Sequence, residues 1–211
     1  MPRRAQAVSS AVGDPAEALR EHLIDAAEGL LSQRQVAAIT TRDIARAAEV
    51  SHGVLYNYFA DKNELLLRAL LRQFADLVER LRAAIPEPGS GQVGANLEVI
   101  ARALYDLHAD AFPIVGSLLA EPMLLHRFMD AIHSAGDPAG GKQIRDTVIA
   151  YVAAEQNEGR LGPADPGAAA DLLIGATATL VFTGHLGSGP GPNLVERLPA
   201  VVDTLVRGLA P

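Results

Sequence analysis

Two phenols and a third aromatic ring, Tyr56, Tyr58 and Phe59, fall within four consecutive positions of the stretch SHGVLYNYFADKNEL, residues 51–65. The whole chain has four Tyr, five Phe and no Trp, so composition alone does not produce the cluster. A phenol offers its hydroxyl to a phosphate oxygen and its ring to a thymine methyl or a sugar. Ser51, His52 and Asn57 add polar groups of the kind that meet phosphates and base edges. Lys62 stands at the start of the next helical pattern, where free N–H groups and the helix dipole attract a phosphate. Thr40 and Thr41 hold the corresponding place one helix earlier. Glycine inside a helix costs about 1 kcal/mol relative to Ala, so Gly53 implies a backbone that must come close to something. The chemistry on offer is a non-covalent grip on a polyanion.

The elements that must position these groups are helices. DPAE opens the first, with Asp14 as N-cap, Pro15 at N1 and Glu17 at N3 in a capping-box arrangement. Leu19, Leu23, Ala27 and Leu30 then line one face. TTRD opens a second, short helix with Ile44, Ala47 and Ala48 inward. EVS is a turn, and Ser51 can cap a third helix. DKNE is another capping box, with Asp61 at the cap, and starts a long helix to about Ala84. Two helices of about eight residues joined by a three-residue turn, from Thr40 to Phe59, form a helix-turn-helix whose second helix enters the major groove. Ile44, Ala48, Val50, Leu55 and Phe59 would pack that pair together.

Helical periodicity stops at PEPGSGQVG, residues 86–94, and resumes over roughly 92–110, 112–120, 122–134, 142–158, 166–186 and 194–209. Pro199 must kink the last helix or start it afresh. No window alternates with the period of a strand. The fold class read from this pattern is all-α. Its expected parts are a disordered arm over 1–13, a three-helix head over 14–62, and a helical core over 63–211 joined to the head by the long helix.

Charge is divided along the same line. Residues 1–85 hold 11 Lys and Arg against 11 Asp and Glu, whereas residues 86–211 hold 7 against 14 and carry the whole net charge of −7. A polyanion is tolerated by the first part and repelled by the second. There is no cysteine, which removes thiolate chemistry and disulfides and fits a reducing cytoplasm. The N-terminus lacks the apolar stretch of a secretory signal. The longest apolar run, Leu172 to Phe182, is shorter than the roughly 20 residues of a membrane span. The expected protein is cytoplasmic, with no membrane partner.

The stretch TTRDIARAAEVSHGVLYNYFADKNELL, behind an N-terminal helix of suitable length, resembles the TetR-type transcriptional regulators over about residues 16–76. That resemblance implies a DNA-binding head, a long fourth helix and an all-helical regulatory core. It also implies a homodimer on a near-palindromic double-stranded operator, working as a repressor released by a small, largely apolar effector. Position by position it implies phosphate contacts from Thr41, Tyr56 and Lys62. Groove contacts would come from His52, Gly53, Asn57 and Tyr58, with Arg42 and Ser51 nearby and Thr40 beside Thr41. The chain departs from the family pattern at Glu49, where Gly is frequent, at Val54 in place of Thr, and at Asn57–Tyr58 in place of a Tyr-His pair.

Other features carry competing readings. GSGQVG, residues 89–94, spells a dinucleotide fingerprint, but a helix and PEP precede it where a strand is required, so it reads as a flexible connector. His126, Asp130 and His133 share a helix flank as metal ligands can, yet a solvated face is the better reading, and no metal or other cofactor is expected. Tyr105 and His108 suit either a core or a pocket. With the apolar walls of Phe112, Met123, Phe128 and Met129, they would line the ligand cavity the resemblance implies. The small residues Ala168, Gly175, Ala176, Thr179 and Thr183, with Leu172 and with Val201 and Leu205 of the last helix, suit a two-fold four-helix interface, or else an intrachain core. The alternative function is an α-helical enzyme or adaptor using the acidic core, with the head as a protein-contact module. The Asp, Glu and His residues show no convergent acid-base or nucleophile pattern, so no catalysis is expected.

Overall fold

The computed structural model describes residues 14–134, 141–187 and 194–209. The expected arm over 1–13, and residues 135–140, 188–193 and 210–211, lie outside them. Among the described residues there are nine α-helices and no strand: α1 Pro15–Leu31, α2 Thr41–Ala47, α3 His52–Leu55, α4 Lys62–Ala84, α5 Val93–Leu118, α6 Pro122–His133, α7 Gly141–Asn157, α8 Pro166–Leu186 and α9 Leu198–Gly208. The chain forms two compact units, and the division falls inside α4, between Ala69 and Leu70.

In the first unit, apolar periodicity builds the core. α1 packs on α2, and Leu23, Ile24 and Ala27 are buried together with Ile44, Ala45, Ala48, Leu55, Phe59, Leu65 and Leu66. Ala47, expected inward, is exposed, and Ala45 takes its place. The stripe of a short helix tilts toward i, i+1 and i+4 when one face meets two neighbours. Leu19 and Leu30 are half-buried at the ends of the α1 face.

The caps explain the helix starts. Asp14 accepts the Ala16 N–H at 3.0 Å, but Glu17 turns to Arg20 at 3.4 Å and leaves the box half made. Thr40 and Asp43 close a full reciprocal box on α2. At α4 the Glu64 N–H bonds Asp61 Oδ1 at 2.7 Å, while the Glu64 carboxylate reaches back to the Ala60 N–H at 2.8 Å. Ser51 makes no side-chain cap bond. The third helix is also shorter than eight residues: after Leu55 the chain closes overlapping turns, Asn57 N–H to Val54 O and Tyr58 N–H to Leu55 O, both 3.1 Å.

In the second unit, α5 packs against α6, α8 and α9, and α8 packs against α7 and α9. The expected break at residues 110–112 does not occur. α5 runs through Pro113, which is exposed, so the N–H it lacks is lost on the solvent side. Pro199 restarts the last helix: a 3-10 turn, Leu194–Arg197, precedes α9, and Pro199 sits in its first turn. α8 is 21 residues long with mean hydropathy 1.4, long and apolar enough by those measures to cross a membrane. It buries Ala169, Ala170, Leu173, Thr177, Leu180 and Val181 within the unit.

The segment read as a flexible connector is tied down. Glu155 of α7 is fully buried. It accepts the Tyr151 hydroxyl at 2.6 Å and the Gly89 N–H at 3.3 Å, and pairs with Arg160 Nε at 3.2 Å. Arg160 donates onward to the carbonyls of Ser90 at 3.1 Å and Gly91 at 2.8 Å, and Asn96 donates to Ser90 O at 2.8 Å. Gly89 adopts φ +80°, a conformation that glycine enters without steric cost. Burial, followed by the bond to Glu155, pushes the Tyr151 phenol up to about 12. Removing Glu155 takes the carboxylate from the Tyr151 hydroxyl, the Gly89 N–H and the Arg160 charge, so Glu155→Ala should cost about 3 kcal/mol in urea unfolding. In the same variant the late-titrating tyrosine should return toward pH ~10. Unchanged stability would show that the tie is ornamental.

Candidate nucleic-acid interface

The turn between α2 and α3 reverses the chain through one residue. Glu49 has φ +54°, the only left-handed residue other than glycine among the described residues. The Val50 N–H then closes on Ala45 O at 2.9 Å, and His22 Nε2 meets Ala48 O at 3.0 Å, tying α1 to the end of α2. This directs the start of α3 outward. Ser51, His52, Gly53, Tyr56 and Asn57 are exposed, with Tyr56 at 51%. Leu55 and Phe59 turn inward, and Tyr58 is half-buried. A Cβ added at Gly53 meets nothing within 4 Å, so no contact inside the chain requires glycine there.

The remaining site residues differ in how they are engaged. Thr41 is half-buried, and its hydroxyl lies 2.8 Å from His52 Nε2; the His52 ring meets the Tyr56 ring edge-on with centroids 5.4 Å apart. The structure therefore brings Thr41, His52 and Tyr56 together. Thr40 is occupied in its own helix cap, donating to Asp43 Oδ2 at 2.6 Å. That bond, then the one from the Thr40 N–H, with Arg34 and Arg46 beyond, holds the Asp43 carboxyl below the usual carboxylate range. Lys62 Nζ donates to Ile39 O at 3.0 Å, a bond the sequence does not announce. An ammonium carries three N–H donors, so two remain for a phosphate. Arg42 is exposed on α2.

The head matches the description "Bacterial regulatory proteins, tetR family" over residues 23–69. Over those residues the head is similar to the TetR family. It is 41% identical over 68 residues to the HTH-type transcriptional regulator HbdR of Aromatoleum, covering 31% of this chain and 30% of that protein. It is 35% identical over 112 residues to the HTH-type transcriptional regulator AlkX of Mycobacterium tuberculosis, covering 51% of each. The chain thus spans about half, or less, of the curated relatives it matches. A solved TetR-family regulator from Mesorhizobium loti has the same fold, with a TM-score of 0.72 at 18% identity, covering 94% of this chain and all of that one.

In the second unit the six residues expected around a ligand have different surroundings. Phe128 is fully buried and meets Phe74 edge-on at 5.8 Å. Phe112 stacks on His185 at 4.1 Å. Tyr105 and His108 are half-buried on α5, whereas Met123 and Met129 are 77% and 37% exposed on α6. Alternation along α6 explains this: Leu124, Phe128 and Ile132 take the inward stripe, which leaves both methionines on the outer flank. The expected interface residues do share a face. An open groove of about 580 Å³ between α8 and α9 is lined by Ala168, Leu172, Ala176, Val201 and Leu205, and Gly175, Thr179 and Thr183 lie exposed on α8. The His126, Asp130 and His133 flank is solvated: His126 pairs with Asp130 at 2.8 Å, and His133 turns onto Met129 O at 2.7 Å. No cluster of three metal-ligating side chains occurs among the described residues.

Two outcomes follow from this geometry. A left-handed residue other than glycine costs about 1 kcal/mol, so Glu49→Gly should raise head stability by about that amount in thermal unfolding; a lowered Tm would contradict the assignment. The second concerns His108. The Thr177 hydroxyl lies within 3.0 Å of Leu173 O and 2.9 Å of Ile174 O. Its one proton therefore goes to the helix, and it accepts from His108 Nδ1 at 3.2 Å. Burial holds the imidazole below the usual histidine range. The unfolded chain binds that proton more readily, so this stability is present above about pH 6.5 and lost as pH falls below it. The fall in Tm from about pH 7.5 to 5.5 should be shallower in His108→Leu than in wild type, and an equal fall in both would exclude the effect.

Proposed function

We propose that the chain is a sequence-specific transcriptional regulator of double-stranded DNA: a homodimeric repressor on a near-palindromic operator, released by a small, largely apolar effector. The observation that carries this reading is the outward row of Ser51, His52, Gly53, Tyr56 and Asn57, on a family head whose inward residues are wholly apolar. Phosphate contacts fall to Thr41, Tyr56 and Lys62, and groove contacts to His52, Gly53, Asn57 and Tyr58. The chain acts in the cytoplasm, where its operator is. Second copies meet through α8 and α9. Leu172, Phe182 and Leu186 of α8 are 64%, 55% and 63% exposed, an apolar face that a single copy leaves in water. The effector acts by population shift, binding the form that does not hold DNA better than the form that does.

Phosphate contacts are independent of sequence, so any duplex reports them at low salt. On a labelled mixed-sequence duplex, Tyr56→Phe should weaken binding about tenfold, the worth of one charge-assisted hydrogen bond. Lys62→Gln should make the salt dependence shallower by about one phosphate. Leu172→Glu should turn a sedimenting dimer into a monomer and lower affinity for the same duplex. A chain whose duplex affinity ignores both head substitutions is an adaptor or an enzyme, not a regulator.

A further inference from the structure

The Thr41 hydroxyl and the His52 ring share one hydrogen bond, 2.8 Å long, and one proton must be placed on one side of it. Either the Thr41 hydroxyl donates to Nε2, or Nε2–H donates to the hydroxyl oxygen. A phosphate oxygen only accepts. If Thr41 spends its proton on the ring, it has nothing to give to DNA. If the ring donates, the hydroxyl proton is left to turn outward. The ring is held on its other side as well, edge-on against Tyr56 one helical turn later, at 5.4 Å and 70°. One imidazole therefore stands between the Thr41 hydroxyl of α2 and the Tyr56 ring at the end of α3.

We propose that His52 is a positioning residue for the phosphate grip: by donating from Nε2 to Thr41 Oγ1 it commits the Thr41 proton to a DNA phosphate. This rests on the DNA-binding reading above and adds to it. The role is indirect, through Thr41, and so distinct from a base-edge contact by His52 itself. Both residues sit at the head surface, His52 exposed and Thr41 half-buried, so their replacement leaves the buried core intact.

The test is a double-mutant cycle on the labelled mixed-sequence duplex at low salt, with Tm recorded for every variant. Thr41→Val and His52→Ala should each weaken binding about fivefold, and the double variant also about fivefold, because the two act as one unit. His52→Gln, which keeps an amide N–H at similar reach, should restore most of the affinity. His52→Phe, which keeps a ring but no donor, should not. Losses that multiply in the double variant, or rescue by Phe and not by Gln, overturn the proton assignment while duplex binding by the wild type stands. A wild-type chain without salt-sensitive duplex binding overturns this inference together with the function beneath it.

Discussion

The α3 segment is four residues long, too short for its own backbone bonds to hold it as a helix in water. Its place depends on two buried side chains, Leu55 at its end and Phe59 one turn beyond, both under 3% exposed. Phe59 also takes the Arg20 guanidinium near its ring, 5.4 Å from the centroid. With those anchors sunk, the residues before and between them have no choice of face, and the polar groups at 51, 52, 56 and 57 are left outward. The outward row is thus a by-product of hydrophobic burial, roughly 2 kcal/mol for each large side chain. The left-handed turn at Glu49 sets the angle at which α2 delivers the chain to it.

Electrostatics follows a similar economy. The surplus acid of the second unit is mostly at the surface, but one carboxylate, Glu155, is taken fully inside. It is tolerable there because a guanidinium, a phenol and a backbone N–H converge on it. Those partners come from two places in the sequence, α7 with its following turn and the α4–α5 loop. A charge that would be a liability by itself becomes the means of fixing a Pro- and Gly-rich segment.

How much of this could be read in advance depended on the range of the interaction. Caps such as Thr40 with Asp43, and stripes such as Leu23 and Ala27, are local and were visible as residue types at fixed spacing. The helix-turn-helix followed from them. Pro113 misled, since a proline ends a helix only when its missing N–H would be missed, and exposure is not written in the neighbouring letters. Met123 and Met129 look like pocket walls until α6 is rotated by its three buried residues. The Gly89 N–H on Glu155, the Ile39 carbonyl under Lys62 and the ring beside Thr41 are joined across 11 to 66 residues, and no periodicity marks them.

The empty space around position 53 has a bearing on what a side chain there would meet. Most residues that decide what a protein binds are also entangled in its folding, so altering them risks losing the molecule. Here the folded chain has room for a side chain where it carries only hydrogen, and a helix would on its own account prefer almost anything else. A side chain at 53 would therefore meet solvent or a bound molecule and nothing of the head itself.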